Sequence, residues 1–228
     1  MTAAAAASMP ATTPVPLTVV VIAKECLPGK VKTRLTPALS PEAAARVAAA
    51  SLDDTLRTIA ALPVERRVLF FDGTVVPDAA AGFDVLPQPD GGLDERLGFL
   101  FDTMTGPTLL VGMDTPQLSA DDLAPVLDAP GRDAWFGPAE DGGFWSLSLG
   151  RPDGTLLRGV PMSQDDTGAV QLARLTDAGL DVGTLTTLLD VDTVPDAQRV
   201  AGLAPTSAFA TALDAEPVDA SVTTGALR

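Results

Sequence analysis

Leu17-Thr18-Val19-Val20-Val21-Ile22-Ala23-Lys24 is a run of β-branched and apolar residues that ends on a lysine. It is too short for a helix and lacks the alternation of a half-exposed strand, so it predicts a parallel strand buried on both faces. The chain then enters a loop, and Ser40-Pro41 supplies a cap and a first-turn proline. Leu52, Leu56 and Ile59 keep helical spacing until Pro63 stops the helix. Strand, loop and helix in that order open a βαβ unit.

The alternation continues. Arg67–Phe71 and Phe83–Leu86 read as strands, and Leu93, Leu97, Leu100 and Met104 mark an amphipathic helix. Thr108–Gly112 is another buried strand, Ser119 with Asp122 is a capping pair for a helix through Leu127, and Ala134–Phe136 begins a strand. Phe144–Leu149 alternates apolar and small polar residues, as an exposed or edge strand would. Thr167–Ala178 is a helix closed by Gly179, Val182–Leu189 is strand-like, and Asp190-Val191-Asp192-Thr193 precedes a short helix. This predicts an α/β fold with a mostly parallel sheet flanked by helices, its ligands at the carboxyl ends of the strands. One domain is expected over 17–204, after a disordered leader at 1–16 and before a partly disordered tail at 205–228.

The composition of the 228 residues narrows the partners. Fifteen basic against thirty acidic residues leave a net charge of -15, which disfavours nucleic acid and anionic membranes. The apolar run at 17–23 is far short of the roughly 20 residues that cross a bilayer, and no basic residue precedes an apolar stretch at the N-terminus. A cytoplasmic protein without a membrane span is expected. There is no histidine and no tyrosine, and a single cysteine. Chemistry therefore falls to carboxylates, Lys, Arg, hydroxyls or a hard metal.

All three lysines fall between Lys24 and Lys32, with Arg34 close behind, in a chain that elsewhere takes its positive charge from arginine. Gly29 lets backbone approach a ligand, and Lys24, Lys30, Lys32 and Arg34 can clamp phosphoryl oxygens. It is not a Walker A loop, which needs Gly-Lys-Ser/Thr after four spacers. Asp114 follows the Thr108–Gly112 strand, where a hard cation bridging a diphosphate would want a carboxylate; alone it would equally be a turn residue. Asp190 and Asp192 should reach the same sheet edge, one of them serving only as a helix cap. Glu140-Asp141-Gly142-Gly143-Phe144-Trp145 combines acids, permissive glycines and aromatics, a set that suits a sugar, although Asp-Gly-Gly is also an ordinary turn. Ser163 and Asp166 read as a capping pair.

In order, Ala23-Lys24 with Pro28–Leu35, Gly112–Pro116, Gly137–Gly143 and Asp190–Thr193 resemble the DUF2064 family of small glycosyltransferase-like proteins. That family lies within the nucleotide-diphospho-sugar transferase superfamily. The resemblance runs from about Leu17 to Leu203 and implies the Rossmann-like GT-A fold. It implies phosphate contacts from Lys24, Lys30, Lys32 and Arg34, and Asp114 and Asp192 as acids for Mg²⁺ or Mn²⁺. Glu140 and Asp141 would face the transferred group, one of them as a base. The chain departs from the family at Ser163-Gln164-Asp165-Asp166-Thr167, where Ser-Thr-Asp-Thr is usual. The expectation is a transferase that moves a glycosyl group from a nucleoside-diphosphate sugar to a small-molecule acceptor. Its rivals are a nucleotidyltransferase using an NTP and a phosphorylated acceptor, and a non-catalytic nucleotide-binding module.

Overall fold

A computed structural model describes residues 13–36 and 38–217. Seven strands form one sheet: β1 (Val15–Lys24), β2 (Val64–Asp72), β3 (Asp84–Pro87), β4 (Thr108–Gly112), β5 (Ala134–Pro138), β6 (Phe144–Leu149) and β7 (Val182–Thr184). Their order across the sheet is β3-β2-β1-β4-β6-β5-β7. All neighbours pair in parallel except where β6 meets β4 and β5. The mostly parallel mixed sheet expected of a GT-A-like α/β domain is therefore present.

The helices are α1 (Pro41–Ala60), α2 (Leu93–Thr103), α3 (Ala120–Asp128), α4 (Thr167–Asp177), α5 (Val194–Leu203) and α6 (Ala208–Asp214). Alternate β1 residues enter opposite cores: Val19 and Val21 pack in the cluster that holds Leu52 and Leu56 of α1, Val20 in the one that holds Leu97 and Leu100 of α2. That two-sided burial is why the strand needs an unbroken apolar run. Ser40 caps α1 by accepting from the Ala43 N–H at 3.1 Å, with Pro41 in the first turn. Ser119 and Asp122 form the expected reciprocal box at α3.

Four local expectations are corrected. β6 is not an edge strand but lies inside the sheet, with Ser146 and Ser148 fully buried. The Ser146 hydroxyl meets its hydrogen-bonding need by donating to the Leu110 carbonyl at 2.9 Å. The strand expected over 182–189 pairs only through Thr184, followed by an isolated bridge between Leu188 and Ala139. At α5 the cap is Thr193, boxed with Asp196, so neither Asp190 nor Asp192 is spent on capping. At α4, Ser163 and Asp166 do not make the capping pair; Thr167 Oγ1 accepts from the Gln164 N–H and donates to the Pro161 carbonyl instead.

The ordered fold also exceeds the expected limits. β1 begins at Val15, and α6 buries Phe209 and Leu213 against α1 and α5. Arg46 and Glu216 form a two-pronged ion pair, at 2.6 and 2.8 Å, that fastens this C-terminal segment to α1. Of the leader expected at 1–16 and the tail expected at 205–228, residues 1–12 and 218–228 lie outside the described residues. Among the described residues, no helix is long and apolar enough to cross a membrane.

Candidate active site

The loop after β1 is held at two apolar points. Val31 is buried against Ala45 and Ala48 of α1, and Leu35 is buried with Leu39 and Val47. Between these anchors Lys32 adopts a left-handed backbone, φ 45° and ψ 40°, a conformation disfavoured for a side-chain-bearing residue and one that tends to mark functional sites. Its side chain is only 8% exposed, and Nζ stands 2.7 Å from Asp114 Oδ1 and 3.8 Å from Asp192 Oδ1. Arg34 reaches the other oxygen of Asp192 at 2.6 Å.

The acids arrive from three strand ends. Asp114 follows β4, and its carbonyl accepts from the Val191 N–H at 3.0 Å, stitching the later segment to it. Gln117 adds a second stitch by donating to the Leu189 carbonyl at 2.6 Å. Val191 is buried in the core, which turns the flanking Asp190 and Asp192 the other way, toward open space. Asp141 sits on the turn between β5 and β6, where its carboxylate accepts from the Gly143 N–H at 2.7 Å.

That turn requires its glycines. Gly142 has φ 88°, and a Cβ there would lie 1.8 Å from the Asp165 carbonyl oxygen. The Gly142 carbonyl accepts from the Gly168 N–H at 2.8 Å, locking the turn to the start of α4. Gly142→Ala is expected to cost about 2–5 kcal/mol, which lowers the melting temperature by roughly 5 °C or more, and to shift Asp141. Thermal melts of the variant check this; an unchanged melting temperature would contradict it.

Two cavities meet at these acids. The smaller, about 180 Å³, is lined by Lys24, Lys32, Thr33 and Arg34 on one side and by Asp114 and Asp192 on the other. The larger, about 300 Å³, shares Asp114 and Asp192 and adds Asp141 and Asp190. Carboxylate oxygens of Asp141, Asp190 and Asp192 all lie within 4.8 Å of one another. A set of hard oxygen donors fits Mg²⁺ or Mn²⁺. The crowding is visible in Asp190, whose carboxyl is pushed from the usual 3.8 up to about 6 by burial first and by the Asp141 and Asp192 charges besides.

Because the folded chain holds a proton on Asp190 more tightly than the unfolded chain does, this residue favours folding most below about pH 4. That contribution is lost as pH rises through about 6. Asp190→Asn should therefore stabilise the metal-free protein by about 1–3 kcal/mol at neutral pH, with the gain vanishing near pH 4. Melts in a chelator at the two pH values check the sign.

The predicted site residues divide. Lys24, Lys32, Arg34, Asp114, Asp141 and Asp192 come together around the two cavities, while Lys30 and Gly29 stay in an exposed turn that lines neither. Glu140 is drawn off to Arg199 at 3.0 Å and lines neither cavity. Asp114 is outside the three-carboxylate set and in ion pair with Lys32. Trp145 is 4% exposed and its indole N–H donates to the Thr186 carbonyl at 3.0 Å, so it lines the larger cavity beside Phe144 as a fixed and nearly buried part of the wall. Sequence reading missed the other wall residues, Leu93, Leu97 and Met162; an apolar Leu93 left 42% exposed at a helix start is their one local signal. Cys26 is pushed up to about 11, by burial first, and stays a protonated thiol.

Residues 55–164 match the model of a family described as an uncharacterised protein conserved in bacteria. The family is DUF2064. The DUF2064 match takes in Asp114 and Asp141 and stops short of the lysine loop and of Asp190-Val191-Asp192. Among solved structures, a protein of Desulfovibrio desulfuricans G20, provisionally named a nucleotide-diphospho-sugar transferase, is 24% identical with a TM-score of 0.76 over 87% of this chain and 94% of its own. A nucleotidyl transferase from Methanothermobacter thermautotroptrophicus is 16% identical with a TM-score of 0.54, covering 84% and 99%. Rv0371C of Mycobacterium tuberculosis H37Rv, in complex with manganese, is 22% identical with a TM-score of 0.50, covering 82% and 98%. These likenesses establish the shared fold. No curated protein matches the chain significantly.

Proposed function

We propose that the protein is a divalent-metal-dependent transferase that takes a nucleoside-diphosphate sugar and passes its glycosyl group to the hydroxyl of a small acceptor. The observation that carries this reading is the meeting of a cationic cavity and an acidic cavity at Asp114 and Asp192. The resemblance to DUF2064 and to structures named for sugar-nucleotide and nucleotidyl transfer supports it.

Lys24, Lys32 and Arg34 bind the diphosphate and meet the negative charge that grows on it as it leaves. Asp190 and Asp192, projecting from one segment, are the acids assigned to a divalent cation, with Asp114 on the phosphate side. Two protein carboxylates plus substrate phosphates are a common shell for such an ion. When bound, the ion supplies charge neutralisation at the diphosphate. Asp141, exposed at the mouth, is the group assigned to take the acceptor's proton. The acceptor oxygen bonds to the anomeric carbon, the bond from that carbon to the diphosphate oxygen breaks, and the nucleoside diphosphate departs.

The test is a thermal-shift panel of nucleoside diphosphates and their sugar conjugates with and without Mn²⁺. A ligand at 100 times its dissociation constant adds about 2.7 kcal/mol. A shift that depends on both nucleotide and Mn²⁺ is expected; no shift from any member would overturn the reading.

A further inference from the structure

The larger cavity has a composition that limits what can enter it. Four aspartates line it, Asp114, Asp141, Asp190 and Asp192, and among the described residues no lysine or arginine does. The nearby arginines are spoken for: Arg199 pairs with Glu140, and Arg158, four residues before Met162 of the wall, pairs with Asp102 and Glu95. Lys32 and Arg34 line the smaller cavity. Away from the acids the wall is mostly apolar, with Ile22, Leu93, Leu97, Leu110, Phe144 and Met162, and its other polar side chains, Ser163, Gln164 and Thr167, are uncharged. Beside the acids Thr115, 1% exposed, lines the cavity and has a hydroxyl oxygen with no hydrogen-bond partner.

We infer that this cavity holds the second substrate, and that this substrate is an uncharged alcohol with an apolar body rather than a phosphorylated compound. The inference rests on the reading that the smaller cavity takes the diphosphate. A phosphate monoester carries about -1.5 to -2 charge, and it would enter beside four carboxylates with no cationic side chain to meet it. A bound divalent cation offsets two of those charges, and Lys32 and Arg34, which pair with Asp114 and Asp192, are shared with the diphosphate once it fills the smaller cavity, so the balance stays negative. An alcohol meets no such repulsion. Its hydroxyl lies at the aspartate end, within the reach of Asp141, and its carbon skeleton covers Leu93, Leu97, Phe144 and Met162. The same charge argument favours glycosyl transfer, whose acceptor is an alcohol, over nucleotidyl transfer to a phosphorylated acceptor.

The experiment uses the full chain with Mn²⁺ and saturating nucleoside diphosphate, chosen from UDP, GDP, CDP and ADP by the largest thermal shift, so that the cationic cavity is filled. Benzyl alcohol and benzyl phosphate are then compared by saturation-transfer NMR titration. Benzyl alcohol is expected to bind at least 10-fold more tightly than its phosphate ester. Leu93→Lys, at the rim of the wall, is expected to move that ratio about 10-fold toward the phosphate. Equal or tighter binding of benzyl phosphate by the unaltered protein, binding of neither probe, or a ratio that Leu93→Lys leaves unchanged would each overturn the inference. Those outcomes leave the nucleotide shift in place, whereas failure of the transferase reading removes the nucleotide shift itself.

Discussion

Lys32→Met is expected to weaken binding of a nucleoside diphosphate by about 10- to 100-fold while strengthening binding of Mn²⁺ alone. The first effect follows from losing a charge-assisted contact to phosphate, worth about 1.5–3 kcal/mol. The second follows from the present position of the ammonium, 2.7 Å from Asp114 and 3.8 Å from Asp192, where it competes with any incoming cation. Methionine keeps the length of the stem, and the left-handed backbone costs it about what it costs lysine, so the difference reports the charge. Calorimetric titrations with the diphosphate and with Mn²⁺ separately read the two signs. A parallel loss of both, together with a lower melting temperature, would mean that Lys32 serves the fold alone.

Asp192→Asn carries the other large effect. Mn²⁺ affinity and turnover of a sugar nucleotide should each fall by about 100-fold or more, and the nucleotide-induced thermal shift should cease to depend on the metal. The fold should survive. The α5 helix is capped by Thr193 and Asp196, and Arg34, released from Asp192, has a side chain 71% exposed, where an ion pair contributes little to stability. Melting in a chelator should therefore match the unaltered protein to within a few degrees. Retained Mn²⁺ dependence would remove Asp192 from the cation site.

What the sequence disclosed follows from how local each signal is. The buried β1 run, the Ser40-Pro41 helix start and the Ser119 box are short-range patterns, and each is realised at its expected place. The confinement of lysine to one loop is compositional, and it marked Lys24 and Lys32 without showing how Val31 and Leu35 hold the backbone on either side of Lys32. Pairings between distant segments were less legible. Alternating Phe144–Leu149 reads as an edge strand because sequence does not reveal that β4 and β5 cover both of its sides. Glu140 and Asp141 are neighbours of like charge, and only Arg199, 59 residues further on, separates them by holding Glu140 aside. Asp192 and Thr193 compete for the role of cap, and the side chain of Asp196 decides it for Thr193.

The reversed direction of β6 has an evolutionary corollary. Had that strand run with its neighbours, a long crossover would have been needed in place of the short bend that carries Asp141. Instead a tight hairpin delivers its tip beside the carboxyl ends of β1 and β4, while Leu110 and Phe136 hold the strand from either flank. Beyond the two glycines, whose geometry is fixed, variation at that tip could retune acceptor choice and leave the scaffold untouched, making the hairpin a natural place to exchange specificity between relatives.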